Sequence, residues 1–414
     1  MTGHDPASRP THRIRLAYVV SHPIQYQTPL LRRLAREPDI DLTVFFGSDF
    51  SVRGYRDEGF GVAVKWDVPL LEGYRHAFLP RLRDGNDVSF ATPLNRGILH
   101  ALKGAGAGPA FDALWVHSYA TANSLQAMLA AKLLGIPVML RAESWLRDRG
   151  RSPAKLAAKR FAFGCLESLV DAVLPIGTLN AEYWSYYFGE SVPQFMVPYA
   201  VDNDYFSQRA RAAHATRGEL QGELGIEATR PVILFASKLQ ERKNCAHLVE
   251  ACARLATSGR HPLPYLVIVG DGEERASLER QAAATGLDSI RFAGFRNQSE
   301  LPRFFDLASV FVLPSRHEPW GLIVNEVMNA ACPVVVSDDC GCAPDLVEDG
   351  VNGSIYPTGN IDALTIALQR VLTSPETAAT MGANAYRRIQ QWGLEQDIQG
   401  LRRALQHLVP GFTA

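Results

Sequence analysis

The sequence predicts an α/β protein built from two doubly wound parallel-sheet domains that face each other across a cleft. Short apolar runs alternate with segments of helical period along both halves of the chain, and a polar stretch at 202–230 interrupts the alternation. The 414 residues suffice for two domains of about 200 each. Near-continuous apolar strands separated by amphipathic helices imply parallel sheets covered on both faces. Ligands of such sheets bind beyond the carboxyl ends of the strands.

The first half begins after a polar tail, residues 1–13, which is expected to be disordered and lacks the apolar core of a signal peptide. Residues 14–20 read as a buried strand, followed by Ser21-His22-Pro23-Ile24-Gln25-Tyr26-Gln27 and a helix over 29–36. The next strand is 42–46. Residues 48–92 mix Gly, Pro and aromatics without a period, which suits functional loops. Regular order returns with strands at 113–116, 138–140 and 172–174, helices at 121–134, 154–169 and 178–188, and a last run at 194–197. The second half predicts strands at 232–236, 265–269, 290–293, 310–313, 334–336 and 354–356, with three helices over 361–408. The expected units are 14–200, 201–375 and a helical 376–414 that packs back toward the first domain.

Composition is that of an ordinary soluble globular protein, with 47% hydrophobic and 21% charged residues. A net charge of −1 gives no reason to expect a nucleic-acid partner. Residues 1–200 hold 22 basic against 18 acidic side chains, and the remainder 20 against 25. That asymmetry allows the first half to face an anionic acceptor or a membrane surface. The six cysteines show no metal-ligand spacing, several sit in apolar runs, and a reducing compartment follows. With no apolar stretch near the ~18 residues of a membrane span, a cytoplasmic location is expected, with a peripheral place at the inner face of the cytoplasmic membrane left open. Arg149, Arg151, Lys155, Lys159 and Arg160 crowd the start of a helix that also holds Leu156, Phe161 and Phe163. Such a surface can rest on anionic headgroups, meet a phosphate-bearing acceptor, or simply be solvated.

The most informative stretch runs from His317 to Ala343. It contains His317-Glu318-Pro319-Trp320-Gly321-Leu322-Ile323-Val324-Asn325-Glu326 and Ser337-Asp338-Asp339-Cys340-Gly341-Cys342-Ala343, each after an apolar run and each leading into a helical segment. A strand, a Gly-bearing loop and a helix start present free backbone N–H groups to an anion. Glu318 in the loop and Glu326 in the second helical turn bring two carboxylates to one wall, where each can accept from vicinal hydroxyls. The strand ending at Ala236 leads into Ser237-Lys238-Leu239-Gln240-Glu241-Arg242-Lys243-Asn244, whose two lysines are placed to neutralise a diphosphate.

These motifs resemble the donor domain of retaining GT-B glycosyltransferases of the large family four. That family ends its first donor-domain strand in Gly-Arg-Leu with a Lys five residues after the Arg; Lys238 stands at the Arg position and Lys243 at the Lys. Lysine keeps the charge and loses bidentate geometry. Also similar are Val269-Gly270-Asp271-Gly272 with Arg275, Gly294 after the third strand, Pro314-Ser315, Gly341 to Asp345, and Gly350-Val351-Asn352-Gly353. The resemblance spans about residues 197–375, with its motifs in order. It implies two Rossmann-like domains and a nucleoside diphosphate sugar donor, UDP-linked by family frequency. It implies that Glu318 contacts the transferred sugar, that the backbone at Gly321 and Leu322 meets the diphosphate, and that Glu326 holds the ribose. Lys238 and Lys243 would stabilise the leaving diphosphate, Ser237 and Gly294 would line the donor site, and the base would sit near Phe295 and Arg296.

The first half resembles the family less. Asp112-Ala113-Leu114-Trp115-Val116-His117 is similar to the family's strand ending in His at the cleft, which makes His117 a candidate ligand of sugar or acceptor. The early Gly-Gly loop is replaced by Ser21 to Thr28, so His22 and Gln25 become the acceptor-side candidates. Glu143, at another strand end in Leu140-Arg141-Ala142-Glu143-Ser144-Trp145, is a candidate for orienting a hydroxyl acceptor. The junction Pro198-Tyr199-Ala200-Val201-Asp202 lacks the family's Asn-Gly pair. No cofactor and no metal ion are expected. The implied reaction is front-face displacement, with the departing phosphate taking the nucleophile's proton and the anomeric configuration kept. Two rivals stand beside it: a GT-B sugar-nucleotide epimerase, and a two-domain sugar-binding protein without catalysis. A dehydrogenase is disfavoured because no Gly-x-Gly-x-x-Gly follows either first strand.

Overall fold

The computed structural model describes residues 13–413 except 58, 60, 84, 86, 107–108, 147–152 and 258–261. The expected tail 1–13, apart from Arg13, and the basic residues Arg149 and Arg151 therefore lie outside the described residues.

The first domain runs β1 (Ile14–Val20), α1 (Thr28–Leu34), β2 (Ile40–Phe46), α2 (Phe50–Arg53), β3 (Tyr55–Asp57), β4 (Val62–Val64) and β5 (Arg75–Phe78). It continues with β6 (Arg81–Arg83), β7 (Leu94–Asn95), α3 (Ile98–Lys103), β8 (Ala113–His117) and α4 (Ala122–Leu134). β9 (Val138–Arg141), α5 (Pro153–Glu167), β10 (Ala172–Val173) and α6 (Thr178–Phe188) complete it. After α7 (Asn203–Ala213) and α8 (Arg217–Leu224), the second domain alternates β11 (Val232–Ala236), α9 (Cys245–Thr257), β12 (Tyr265–Val269), α10 (Arg275–Ala284) and β13 (Ile290–Gly294). Then come α11 (Leu301–Leu307), β14 (Val310–Leu313), α12 (Leu322–Met328), β15 (Val334–Ser337), α13 (Ala343–Leu346), β16 (Gly353–Tyr356) and α14 (Ile361–Val371). Two helices close the chain, α15 (Pro375–Gln390) and α16 (Leu394–Leu408).

The strand orders are β10-β9-β8-β1-β2-β5 and β13-β12-β11-β14-β15-β16, with every neighbour parallel. Numbered within its own sheet, each has the Rossmann order 3-2-1-4-5-6, so the connections reverse direction between β1 and β8 and between β11 and β14. Crevices open at such reversals. Apolar side chains cover both faces of each sheet, as the uninterrupted apolar strands require. This is the GT-B architecture.

Two stretches to which the sequence assigns no defined element take form in the structure. Residues 48–92 are not loops throughout: β5 extends the first sheet, and β3–β4 and β6–β7 form small antiparallel pairs. Their strands are two to four residues long, too short to show a period. The run at 194–197 makes only a single bridge, Val173 to Gln194, and otherwise passes as extended chain toward the hinge.

α16 packs Ile398, Leu401, Ala404 and Leu405 into the core of the first sheet. A buried ion pair anchors it there, Arg141 Nη2 to Asp397 Oδ2 at 3.2 Å. Arg141 also donates to the carbonyls of Val197 and Pro198 at 2.9 and 3.1 Å, so one guanidinium ties sheet, hinge and terminal helix together.

Candidate active site

The site is assembled beyond the carboxyl ends of the second sheet, around its reversal between β11 and β14. Beyond β11, Ser237 N donates to Val269 O at 3.1 Å and Gly270 N to Gly294 O at 2.8 Å, which stitches three strand ends side by side. A Cβ on Gly270 would lie 1.9 Å from Ser237 O, and its φ of +136° suits glycine alone. Next, Glu241–Lys243 forms a 3₁₀ turn, and Asn244 Nδ2 donates to Pro314 O at 3.0 Å. That bond fixes the lysine loop against the loop that follows β14.

The loop after β14 is held from its other side. Glu318 N donates to Asp339 O at 3.1 Å and Gly341 N to Glu318 O at 2.8 Å, a strand-like bridge between the two Gly-bearing turns. A Cβ at Gly341 would fall 1.9 Å from Pro319 O, so this approach requires glycine. Gly321, at φ +95°, opens α12 and turns its first residues, Leu322 and Ile323, toward the cavity. The earliest N–H groups of a helix have no partner within it.

Around a cavity of about 330 Å³ stand Gln25, Ser237, Lys238, Lys243, Phe295, Arg296, Glu318, Gly321, Leu322 and Glu326. Lys243 is buried and its Nζ is ion-paired with Glu318 Oε2, while Arg242 Nη1 lies 3.8 Å from the same oxygen. Glu326 is buried on the second turn of α12, and burial pushes its carboxyl up to about 8. The arrangement sets four cations, Lys238, Arg242, Lys243 and Arg296, and a helix start around the space, with one carboxylate bonded to a lysine and one held as an acid at neutral pH. Gly294 stands beneath this wall, joined through its carbonyl to Gly270 rather than lining the cavity.

The remaining candidates lie apart from this cavity, on the first domain. Gln27 Nε2 is 3.1 Å from both ring nitrogens of the buried His117, and Tyr18 Oη donates to Gln27 Oε1 at 2.6 Å. Burial, and secondarily the Arg141 charge, holds the His117 imidazole down to about 3. His22 touches Ser21 Oγ at 2.9 Å and the Phe50 ring at 4.5 Å, and burial lowers it to about 4. Both are neutral at physiological pH. Glu143 Oε1 accepts from Tyr26 Oη at 2.6 Å and from Tyr199 Oη, and His117 Nε2 is 4.0 Å away.

Sequence reasoning missed the aromatic hinge. Trp320 is buried, donates through Nε1 to Asn325 Oδ1 at 2.9 Å, and stands edge-on to Tyr199. Asn325 Nδ2 and Trp392 Nε1 both donate to Tyr199 O, at 3.1 and 2.8 Å. Asp345 accepts from Thr178 N at 2.9 Å and Thr178 Oγ1 at 2.6 Å, a further bond between the domains. Gly177 meets Trp320 so closely that a Cβ would lie 2.2 Å from its ring. The one signal in the sequence was Trp320 itself, inside the Glu318–Glu326 stretch.

Two Rossmann-like domains and a crevice lined by cations beyond the second sheet define the class of fold and site. Residues 216–388 match the family described as glycosyl transferases group 1, and the chain carries a domain of that family there. α-D-kanosaminyltransferase of Streptomyces kanamyceticus is 34% identical over 172 residues, 41% of this chain and 44% of that protein. The GDP-mannose-dependent α-(1-6)-phosphatidylinositol monomannoside mannosyltransferase of Mycolicibacterium smegmatis is 30% identical over 247 residues, 58% of this chain and 62% of that one. The chain thus spans about half the length of the curated relatives it matches. In fold it is similar to Anabaena Alr3699/HepE in complex with UDP and glucose, with TM-score 0.68, 18% identity and coverage of 95% and 100% of the two chains. A glycosyltransferase from Rickettsia africae superposes with TM-score 0.71 at 13% identity, covering 97% and 100%.

Proposed function

We propose that this protein is a retaining glycosyltransferase that moves a sugar from a nucleoside diphosphate sugar, with UDP as the favoured nucleotide, to a hydroxyl acceptor in glycan, glycolipid or glycosylated-metabolite synthesis. The observation that carries this reading is the joining of Lys243 to Glu318 in the cavity that also holds Lys238 and Glu326. In the proposed reaction the anomeric C–O bond to the diphosphate breaks while the acceptor oxygen bonds to the same face. The proton of the acceptor hydroxyl passes to the departing phosphate. Lys238, Lys243 and the N–H groups at the start of α12 stabilise the charge that develops on the leaving group. Glu318 contacts the sugar, and Glu326 accepts or donates at the ribose hydroxyls.

The reaction needs no protein base and no metal ion under this proposal. His22, Gln25 and Glu143 form the acceptor side, and His117 touches sugar or acceptor. No helix among the described residues is long and apolar enough to cross a membrane. We place the protein in the cytoplasm, with a peripheral membrane contact through α5.

A thermal-shift screen against UDP, GDP and ADP sugars tests the donor, because a ligand bound by the folded state alone raises apparent stability. UDP-sugars should shift the transition most; no shift with any nucleotide sugar would remove the donor reading. Anomeric analysis of the product by NMR tests retention, and activity should survive EDTA.

A further inference from the structure

One wall of the donor cavity comes from the other domain. β3 ends in Asp57, which is only 8% exposed, and Lys238 Nζ donates to Asp57 Oδ1 at 2.7 Å and Oδ2 at 2.8 Å. Tyr55 Oη adds a bond to Asp57 Oδ2 at 3.3 Å. Backbone follows the ion pair closely. A Cβ on Gly59 would lie 2.7 Å from Lys238 Cδ, and one on Gly272 would lie 2.9 Å from Gly59 O. Beyond β4, Trp66 lines the same cavity as Phe295, Arg296 and Gln298, and Asp67 accepts a hydrogen bond from Ser299 Oγ. The first domain therefore lies over the donor cavity at Gln25, Asp57 and Trp66, and at Asp57 its carboxylate sits on the cation assigned to the diphosphate.

We propose that nucleoside diphosphate binding is an exchange of anions at Lys238, in which the diphosphate displaces Asp57. The inference rests on the reading of the cavity as a donor site. An ammonium has three donor hydrogens on a compact charge, and here the two oxygens of one carboxylate engage it. A diphosphate bridging Lys238 and Lys243 would bring like charge against the largely buried Asp57, and like charges in contact oppose each other's ionised forms. Donor entry thus works against the Asp57–Lys238 bond, and its departure restores that bond. Because β3 belongs to the first domain, the same exchange releases one hold between the domains when donor enters.

The test is isothermal calorimetry with UDP, GDP, ADP, UMP and inorganic pyrophosphate on the full chain and on Asp57→Asn, Lys238→Ala and the double variant. Asp57→Asn keeps the shape and removes the competing charge. It should bind the preferred nucleoside diphosphate, and pyrophosphate, on the order of three- to tenfold more tightly, the scale of one partly exposed ion pair. UMP should gain less. Lys238→Ala should bind more weakly, and adding Asp57→Asn to it should bring a smaller gain than Asp57→Asn brings to the parent. If the parent binds a nucleoside diphosphate and Asp57→Asn binds it no more tightly, or gains equally without Lys238, the exchange is overturned alone. If the parent binds none of the nucleotides, the donor reading and the exchange fall together.

Discussion

Trp320 stacks on Trp392 with ring centroids 5.7 Å apart and 18° between the planes. Trp320 belongs to the turn that carries Glu318, whereas Trp392 precedes the helix α16 that packs on the first sheet. Tyr199, in the crossover between domains, accepts from Trp392 Nε1 through its carbonyl and donates from its hydroxyl to Glu143. The turn of Glu318, the hinge and a first-domain carboxylate are thereby in contact through three aromatic side chains. Such pairs add about 0.5–1.5 kcal/mol beyond the area they bury.

Replacing these rings should separate packing from hydrogen bonding. Trp320→Ala leaves a large void beside Gly177 and should cost about 3–5 kcal/mol in urea denaturation. Trp392→Phe keeps an aromatic face against Trp320 and loses the bond to Tyr199 O, so a loss of about 1 kcal/mol is expected. Equal losses in the two variants would mean that the stack contributes little.

Glu318→Ala removes the carboxylate proposed to meet the sugar as positive charge develops on it. Turnover should fall on the order of 10²-fold or more, with nucleotide affinity changed far less, as for lost transition-state contacts. The variant also leaves Lys243 buried without its carboxylate partner, so a drop in melting temperature should accompany the kinetic loss. Turnover equal to that of the parent would rule out the assigned role.

Glu326 supplies a pH test with a definite sign. Its folded carboxyl is pushed up to about 8 from an ordinary 4.5, with burial as the cause. The folded state therefore holds a proton that the unfolded chain has released between those values, and stability falls as the pH rises through that window. The contribution is complete below 4.5 and gone once the pH passes 8. Glu326→Gln, which cannot ionise, should flatten the pH 5–8 part of the stability profile. A variant whose profile keeps the parent's slope would show that this carboxyl titrates elsewhere.

The fold class and the second domain's site were legible because their determinants are contiguous. Glu318, Gly321 and Glu326 occupy one turn and one helix start, and Ser237 to Lys243 one loop, so spacing alone brings each set together. What escaped depends on distant partners. Asp57 meets Lys238 across 181 residues and Asp67 meets Ser299 across 232, and neither acid stands in a recognisable pattern. Tyr199 was legible as part of the domain junction, but its contacts with Trp320 and Trp392, 121 and 193 residues further on, were not. Of the acceptor-side candidates, Gln25 lines the same cavity as Lys238 and Glu318, whereas His22 and Glu143 are not among its lining residues.

The helix α5 combines basic side chains with exposed apolar ones. Phe161 is 77% exposed and Leu156 40%, so apolar side chains project from this helix. The basic residues are arranged less simply than their sequence cluster implies. Lys159 Nζ lies over the rings of Phe163, Tyr183 and Tyr187 at 5.5, 4.7 and 4.8 Å, and Arg160 lies 5.7 Å over Tyr186. A bilayer contact of this kind combines shallow burial of apolar side chains with attraction of about 1 kcal/mol per basic residue near anionic lipid. The protein should therefore float with liposomes containing anionic lipid at low salt, float less with neutral liposomes, and be released as salt screens the charges. Phe161→Glu should abolish flotation without lowering the melting temperature, since that ring is already in solvent. Retention in the soluble fraction with acidic liposomes at low salt would end the membrane proposal and favour a soluble acceptor.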